Sequence, residues 1–243
     1  MERLQKVIAN SGYCSRRKAE ALIVDKKVMV NGNIISELGY KVSHTDIITI
    51  DGKTLAQDKK EYILLYKPRG VVTTTNDEHK RKTVLDLIET DVRLYPVGRL
   101  DYDTSGLLIL TNDGELANLL MHPKNQIEKV YVAKVKGLVT KEQILKLRNG
   151  VLIGDFKTSK AGARIIKYDK KTDTSIVELI ISEGKNHQVK NMLSAVGHEV
   201  IKLKRERLSF LTLKGLKSGE YRYLNIKEVK KLYNEAQKNK DCK

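Results

Sequence analysis

The sequence predicts an α+β protein with two domains, the larger one built on a largely antiparallel mixed sheet. Its 243 residues suffice for one large domain or two modest ones. Strand-like segments predominate, and helices are interspersed without the regular βαβ rhythm of a parallel sheet. A short polar segment near residues 56–60 separates a compact amino-terminal unit from the rest. We therefore place domains at residues 1–58 and 61–233, followed by a lysine-rich tail, 234–243, that we expect to be disordered.

The amino-terminal unit is predicted to contain two helices followed by short strands. Leu4, Val7 and Ile8 recur at helical spacing, and Ser15 is suited to cap a second helix. Farther along, the turn-forming segment Asn31-Gly32-Asn33 separates two short apolar runs. This pattern is typical of a β-hairpin.

Two arginines, Arg16 and Arg17, open the second predicted helix. Because a helix N-terminus is electropositive, it disfavours cations unless an anion also binds there. The residues alone leave two interpretations open, a phosphate-binding pair or two solvated surface charges. The unit as a whole, including Ser15-Arg16-Arg17-Lys18-Ala19-Glu20 and Val28-Met29-Val30-Asn31-Gly32, resembles the S4 RNA-binding domain. That resemblance implies a structured RNA partner, with Arg16 and Arg17 among the residues that bind it.

The net charge of the chain favours a polyanionic partner. Lysine and arginine number 46 against 30 acidic residues, for a net charge of +16. Neutralising each phosphate of a nucleic acid releases counterions, so this excess favours nucleic acid. The two cysteines, Cys14 and Cys242, lack the spacing of a zinc module or a disulfide scaffold. With neither a signal segment nor a membrane-length apolar run, we expect a cytoplasmic monomer without a membrane partner.

The polar segment 95–106 leads directly into a predicted buried strand. Catalytic residues often lie on loops held by a rigid sheet. Asp101 and Asp103 begin like a calcium-binding loop, but the twelfth position is Asn112 instead of a bidentate glutamate, which excludes an EF-hand. A glycosidase pair would need an apolar pocket to raise one carboxyl pKa, and no such segment lies nearby. From the residues alone, we interpret Asp103 as a carboxylate that caps the turn.

A longer motif indicates the chemistry by resemblance. Gly98-Arg99-Leu100-Asp101, followed by Gly106-Leu107-Leu108, resembles the signature of pseudouridine synthases. Tyr62-Ile63-Leu64-Leu65-Tyr66-Lys67-Pro68-Arg69-Gly70 and Lys129-Val130-Tyr131 also fit, and the resemblance extends to about Lys231. The chain is most similar to the branch that modifies bacterial ribosomal RNA. The resemblance thus implies an S4 RNA-binding domain followed by a pseudouridine synthase catalytic domain.

In that family an aspartate breaks the N1–C1′ bond of a uridine, and the uracil rejoins the ribose through C5 without a metal or cofactor. The resemblance gives this catalytic role to Asp101, a residue type that is ionised at neutral pH. It makes Lys190 the counter-ion, where many relatives have arginine. Because lysine lacks the bidentate fork, we expect one flexible contact between Lys190 and Asp101. Tyr131 would be the third catalytic residue, stacking on a base flipped out of the RNA.

The resemblance also implies which residues bind substrate. Arg99 is expected either to hold the phosphate of the flipped nucleotide or to fill the gap that it leaves. Lys185 and His187 are expected to face RNA. For His187 the alternative is a structural role without RNA contact. The segment 118–124 is similar to large-subunit enzymes, whereas Gly184-Lys185-Asn186-His187-Gln188-Val189-Lys190 is more similar to the small-subunit enzyme. The expected partner is 23S rRNA or a ribosomal assembly intermediate, and the alternatives are 16S rRNA and a non-catalytic assembly factor.

Overall fold

The computed structural model describes residues 1–56 and 58–241, which fall into two compact units. The first unit comprises Met1–Glu61 together with the segments Glu89–Tyr95 and Thr111–Gly114. The second contains the remainder of the chain. The boundaries predicted from the sequence place both short segments in the second domain instead.

The first unit is built from two helices and short strands that share one buried apolar cluster. In chain order, its elements are β1 (Glu2–Arg3), α1 (Leu4–Asn10), α2 (Arg16–Val24), β2 (Val28–Val30), β3 (Asn33–Ile35), β4 (Lys41–Val42), β5 (Ile48–Ile50) and β6 (Lys53–Thr54). β2 pairs antiparallel with β3, so the predicted hairpin is confirmed. The buried side chains come from both helices and from β2, β4 and β5, among them Leu4, Ile8, Ala19, Ile23, Val28, Val42 and Ile50.

The predicted start of the second helix is also confirmed. The Ser15 hydroxyl accepts a hydrogen bond from the backbone N–H of Lys18 at 3.2 Å, which satisfies one of the unpaired donors at the N-terminus of α2. Arg16 and Arg17 occupy the first turn of α2 and are exposed. Both guanidinium groups therefore lie at an electropositive helix end.

The second unit is dominated by a nine-stranded mixed sheet. The elements from residue 62 onward are β7 (Tyr62–Lys67), a 3-10 turn (Leu85–Leu87), β8 (Tyr95–Pro96), β9 (Thr104–Thr111), α3 (Gly114–Met121), a 3-10 turn (Pro123–Asn125), β10 (Lys129–Lys136), α4 (Lys141–Asn149), β11 (Leu152–Ile153), β12 (Phe156–Lys157), β13 (Gly162–Asp169), β14 (Thr174–Ile181), α5 (Gln188–Ala195), β15 (Val200–Leu208), β16 (Leu211–Thr212), β17 (Tyr221–Tyr223) and α6 (Ile226–Asp241). The strand order is β13-β14-β10-β15-β9-β7-β17, with β8 beside β9 and β16 beside β15. β10 is antiparallel to both β14 and β15, whereas β15 is parallel to β9. The predicted α+β fold with a largely antiparallel mixed sheet is therefore confirmed.

The close approach of β9 and β15 depends on Gly106. Its φ is +123°, and a Cβ at this position would lie 2.3 Å from the carbonyl oxygen and 2.5 Å from the nitrogen of Arg205. Since no L-side chain fits that space, glycine is required for the two strands to pair here. The pairing fixes the start of β9, which directly follows the loop that contains Asp101.

The carboxy-terminal helix α6 corrects one prediction. Residues 234–241, which we expected to be disordered, continue the helix that begins at Ile226. Leu232 and Ala236 lie one turn apart and are fully buried, so the helix gains packing on one face despite its many lysines. Residues 242 and 243, including Cys242, lie outside the described part of the chain. Every helix within residues 1–56 and 58–241 is too short or too polar to traverse a bilayer.

Candidate active site

The loop before β9 is held in place by a buried lysine. Lys67 ends β7 and is fully buried. Its Nζ donates to the carbonyl oxygens of Pro68 at 3.0 Å, Asp101 at 3.0 Å and Thr104 at 2.9 Å. Burial lowers the pKa of Lys67 to about 8, although the charges of Asp101 and Asp103 act to raise it. One ammonium group thus fixes the backbone at Asp101 and again three residues later, at Thr104.

Lys190, in the first turn of α5, forms ion pairs with two carboxylates. Its Nζ lies 2.9 Å from Oδ2 of Asp101 and 2.6 Å from Oδ1 of Asp103. Burial acts to lower the pKa of Lys190, but hydrogen bonds to Asp103 and Asp101 outweigh it and leave that pKa raised. The hydrogen bond from Lys190 also lowers the pKa of Asp103.

These contacts agree with one expectation and correct another. Lys190 makes the expected single contact with Asp101. Asp103, which we interpreted as a turn cap, forms an ion pair with the same lysine. Because Asp103 lies two residues after Asp101, both carboxylates reach the same ammonium group. An ammonium has three donors and can serve both. The predicted pairing of Asp101 with Lys190 is present, but the lysine is shared.

His187 makes a second contact with Asp101 that the sequence analysis missed. Its Nδ1 lies 3.0 Å from the same Oδ2 that Lys190 approaches. His187 directly precedes α5, three residues before Lys190. Residues three apart in a helical turn lie on one face. A spacing of three is thus the sequence signal that could have placed His187 and Lys190 on one side of α5, but it does not identify Asp101 as their common partner.

Tyr131 lies on β10 and is nearly buried, at 8% exposure. Tyr131 pairs with Arg205 on the adjacent strand β15, and Arg205 is also buried. Arg205 donates from Nε to the carbonyl oxygen of Leu107 at 2.7 Å, and its Nη1 lies 3.5 Å from the Tyr131 hydroxyl. No sequence signal singled out Arg205, because Lys204 and Arg207 beside it are equally basic.

The segment that leads into α5 is anchored by the adjacent hairpin of β11 and β12. The Nζ of Lys185 lies 3.4 Å from the ring centroid of Phe156, a cation–π contact. The carboxylate of Glu183 accepts hydrogen bonds from the backbone and hydroxyl of Ser159. Gln188 accepts one from the backbone N–H of Lys185 at 2.9 Å. These contacts hold the residues that immediately precede Lys190.

The three predicted catalytic residues line one small cleft of about 60 Å³. Other lining residues are Arg99, Thr104, Lys185, His187 and Leu203. This volume is far below the ~300 Å³ at the lower end of small-molecule sites, and suits part of a nucleotide. Two larger surface cavities, of about 440 and 530 Å³, contain none of the predicted site residues. Arg16 and Arg17 belong to the first unit and do not line the cleft.

A second lysine near the cleft makes stability depend on pH. Lys129, on β10, donates to the carbonyl oxygens of Ile127 at 2.9 Å and Ser182 at 3.2 Å. Burial, reinforced by the charge of Arg205, lowers the pKa of Lys129 to about 8, and Glu183 opposes the shift. In an unfolded chain a lysine pKa is about 10.4. Between these values the unfolded state binds more protons, so the contribution of Lys129 to stability rises with pH.

Lys129→Met should remove that pH dependence. We expect the free energy of unfolding of the wild type, minus that of the variant, to increase by roughly 2 kcal/mol from pH 7 to pH 10. Urea unfolding of both proteins across this range measures the difference. Lys136→Met, on the same strand but exposed, is the control and should give a flat difference. A difference that stays flat or falls for Lys129→Met would contradict the lowered pKa.

Comparison with known proteins agrees with this geometry. A family model described as RNA pseudouridylate synthase matches residues 61–195, and an S4 domain model matches residues 2–48. The chain is 54% identical, over 96% of its own length and of the relative's, to the ribosomal large subunit pseudouridine synthase B of Bacillus subtilis (strain 168). It is 41% identical to an uncharacterized RNA pseudouridine synthase of Aquifex aeolicus (strain VF5), over 95% of this chain and 93% of that one.

A solved structure supports the same assignment. The fold matches a crystal structure of a pseudouridylate synthase with a TM-score of 0.69 and 31% sequence identity. The match covers 96% of this chain and 100% of that one. The chain therefore belongs to the RNA pseudouridylate synthase family and carries an S4 domain at its amino terminus.

Proposed function

We propose that this protein converts a specific uridine of 23S ribosomal RNA into pseudouridine in the cytoplasm. The observation that carries the proposal is the ion pair between Asp101 and Lys190, 2.9 Å long, in the cleft that Tyr131 also lines. A relative with 54% identity is named for the large ribosomal subunit, which favours 23S rRNA. The S4 domain and the net charge of +16 favour RNA over other polyanions.

Asp101 is the proposed catalytic residue. Its carboxylate needs no activating base to attack C1′ or to remove a proton, and Lys190 balances its charge once RNA closes the site. The N1–C1′ bond breaks, the uracil turns, and a C5–C1′ bond forms. C5 then loses its proton and N1 gains one, so the reaction is an isomerisation that adds no atoms.

Two other cleft residues, Tyr131 and Arg99, are proposed to bind the nucleotide. Because the cleft is small, the uridine must be flipped out of the RNA to reach Asp101, and the ring of Tyr131 offers a surface on which the base can stack. Arg99 lines the cleft and is exposed, which suits contact with a phosphate. Arg16 and Arg17 at the start of α2 are proposed as phosphate contacts of the S4 domain.

The test is tritium release from unmodified rRNA transcripts labelled at C5 of uridine. The reaction replaces the C5 hydrogen, so the purified protein should release about one equivalent of tritium per 23S rRNA and none from 16S rRNA. Large-subunit assembly intermediates reconstituted from the same transcript should be assayed in parallel, since RNA and ribosomal proteins could form the substrate together. Release from 16S rRNA alone would favour the small-subunit alternative, and release from neither RNA would contradict the proposed activity.

A further inference from the structure

We propose that His187 is a positioning residue that, together with Lys190, occupies one carboxylate oxygen of Asp101 and leaves the other free to react. The inference rests on the proposed function, in which the Asp101 carboxylate acts on the flipped nucleotide. It assigns different tasks to the two oxygens of one carboxylate.

Both contacts of the Asp101 carboxylate converge on Oδ2. Nδ1 of His187 lies 3.0 Å from this oxygen, and Nζ of Lys190 lies 2.9 Å from it. Among the residues that the structure describes, none donates a hydrogen bond to Oδ1. Oδ2 is engaged by a hydrogen bond with His187 and an ion pair with Lys190, whereas Oδ1 keeps its electron pairs available. Oδ1 is therefore the oxygen that meets the nucleotide.

Lys190 alone is poorly suited to fix the orientation of this carboxylate. Its Nζ is nearer to Asp103, at 2.6 Å, than to Asp101, at 2.9 Å. It is also a point charge on a flexible chain, which attracts either oxygen of a carboxylate equally. The imidazole of His187 is a rigid ring with one N–H direction at Nδ1. His187 therefore fixes the orientation of the Asp101 carboxylate, and Lys190 supplies the positive charge that balances it.

The backbone of His187 has an uncommon conformation that its neighbours hold in place. Its φ and ψ are 51° and 22°, a left-handed conformation that is uncommon for a residue other than glycine. The flanking residues stabilise it, because Gln188 accepts from the backbone N–H of Lys185 and donates to the carboxylate of Glu183. Strained residues that their neighbours hold in place are concentrated at functional sites.

The tautomer of the ring follows from its partner. A carboxylate paired with an ammonium is an acceptor only, so Nδ1 of His187 must carry the hydrogen. In the neutral ring, Nε2 then has the free electron pair. Nitrogen NMR of the free protein should show the Nδ1–H tautomer for His187, and Asp101→Ala should abolish that preference. The assignment of the His187 signal comes from its absence in His187→Asn.

Two substitutions separate positioning from other roles of the ring. Asparagine tolerates the left-handed conformation and can place its amide N–H near the position of Nδ1, whereas alanine removes the donor. We expect the single-turnover rate of His187→Ala to fall about 30-fold or more, because a misplacement of about 1 Å costs on the order of 100-fold. We expect His187→Asn to keep the rate within about threefold. Asn186→Ala, which changes the adjacent exposed side chain, is the control.

The affinity for 23S rRNA should change less than about threefold in all three variants. An equal loss of rate in His187→Asn and His187→Ala would overturn the proposal, because the ring would then act by more than donating one hydrogen bond. A wild-type rate in His187→Ala, or a loss confined to RNA affinity, would overturn it as well. The NMR arm needs no RNA and no activity, so a failure of the proposed function, seen as an inactive wild type, is distinguishable from a failure of this inference.

Discussion

Asp101→Asn is expected to lower the single-turnover rate of tritium release by at least about 10⁴-fold while RNA binding persists, as removal of a catalytic nucleophile does in other enzymes. The amide has nearly the same shape as the carboxylate, and its oxygen can still accept from Lys190 and His187. It lacks the negative charge that attacks C1′ or removes a proton. The substitution therefore removes the catalytic group while it leaves the structure of the site and RNA binding in place.

Rate and affinity must be measured on the same RNA for this prediction. Tritium release gives the rate, and filter binding at several salt concentrations gives the affinity, which should weaken steeply with salt for both proteins. Asp155→Asn, an exposed aspartate between β11 and β12, is the matched control and should behave as the wild type. A loss of RNA affinity as large as the loss of rate would make Asp101 a structural residue instead.

The parts of the fold that the sequence predicted correctly have signals confined to a few neighbouring residues. The Ser15 cap of α2 involves only four neighbouring positions, and its hydrogen bond from the backbone N–H of Lys18 is present. Strands such as β9 contain continuous apolar runs, and Leu107 to Leu110 are indeed fully buried. The grouping of Asp101, Tyr131 and Lys190 in one cleft could be predicted because the family motifs include all three residues.

The features that were missed depend on contacts between distant parts of the chain. His187 and Asp101 are 86 positions apart, and their contact arises only once α5 lies beside the loop before β9. Lys67 resembles an ordinary solvated lysine in the sequence, yet two of its three carbonyl partners lie 34 and 37 positions away. The helical tail was hidden by its lysine-rich composition, which obscured the spacing of Leu232 and Ala236.

Lys67→Met is expected to destabilise the protein by roughly 3 kcal/mol near pH 7. Three carbonyl oxygens, one in a buried and two in partly buried hydrogen bonds, lose their donor, at about 1–3 kcal/mol each. In the wild type, burial of the Lys67 ammonium lowers its pKa to about 8 and costs about 3 kcal/mol of stability near pH 7. Methionine carries no charge and avoids this cost. The loss of hydrogen bonds is the larger effect, so the net change is destabilising. Urea unfolding followed by circular dichroism measures it, with Lys167→Met, an exposed lysine on β13, as the control that should change stability by less than about 0.5 kcal/mol.

The same substitution should also reduce activity in protein that remains folded. Lys67 holds the carbonyl oxygens of Asp101 and Thr104, so its loss frees the loop that aims the carboxylate, and we expect a fall in rate of about 100-fold. RNA affinity should stay near that of the wild type, since Lys67 is buried and offers no charge to a phosphate. If Lys67→Met were destabilised but fully active below its unfolding transition, the loop would keep its geometry without the ammonium. The position of Asp101 would then be determined by the pairing of β9 with β15, and Gly106 would be the residue on which the site depends.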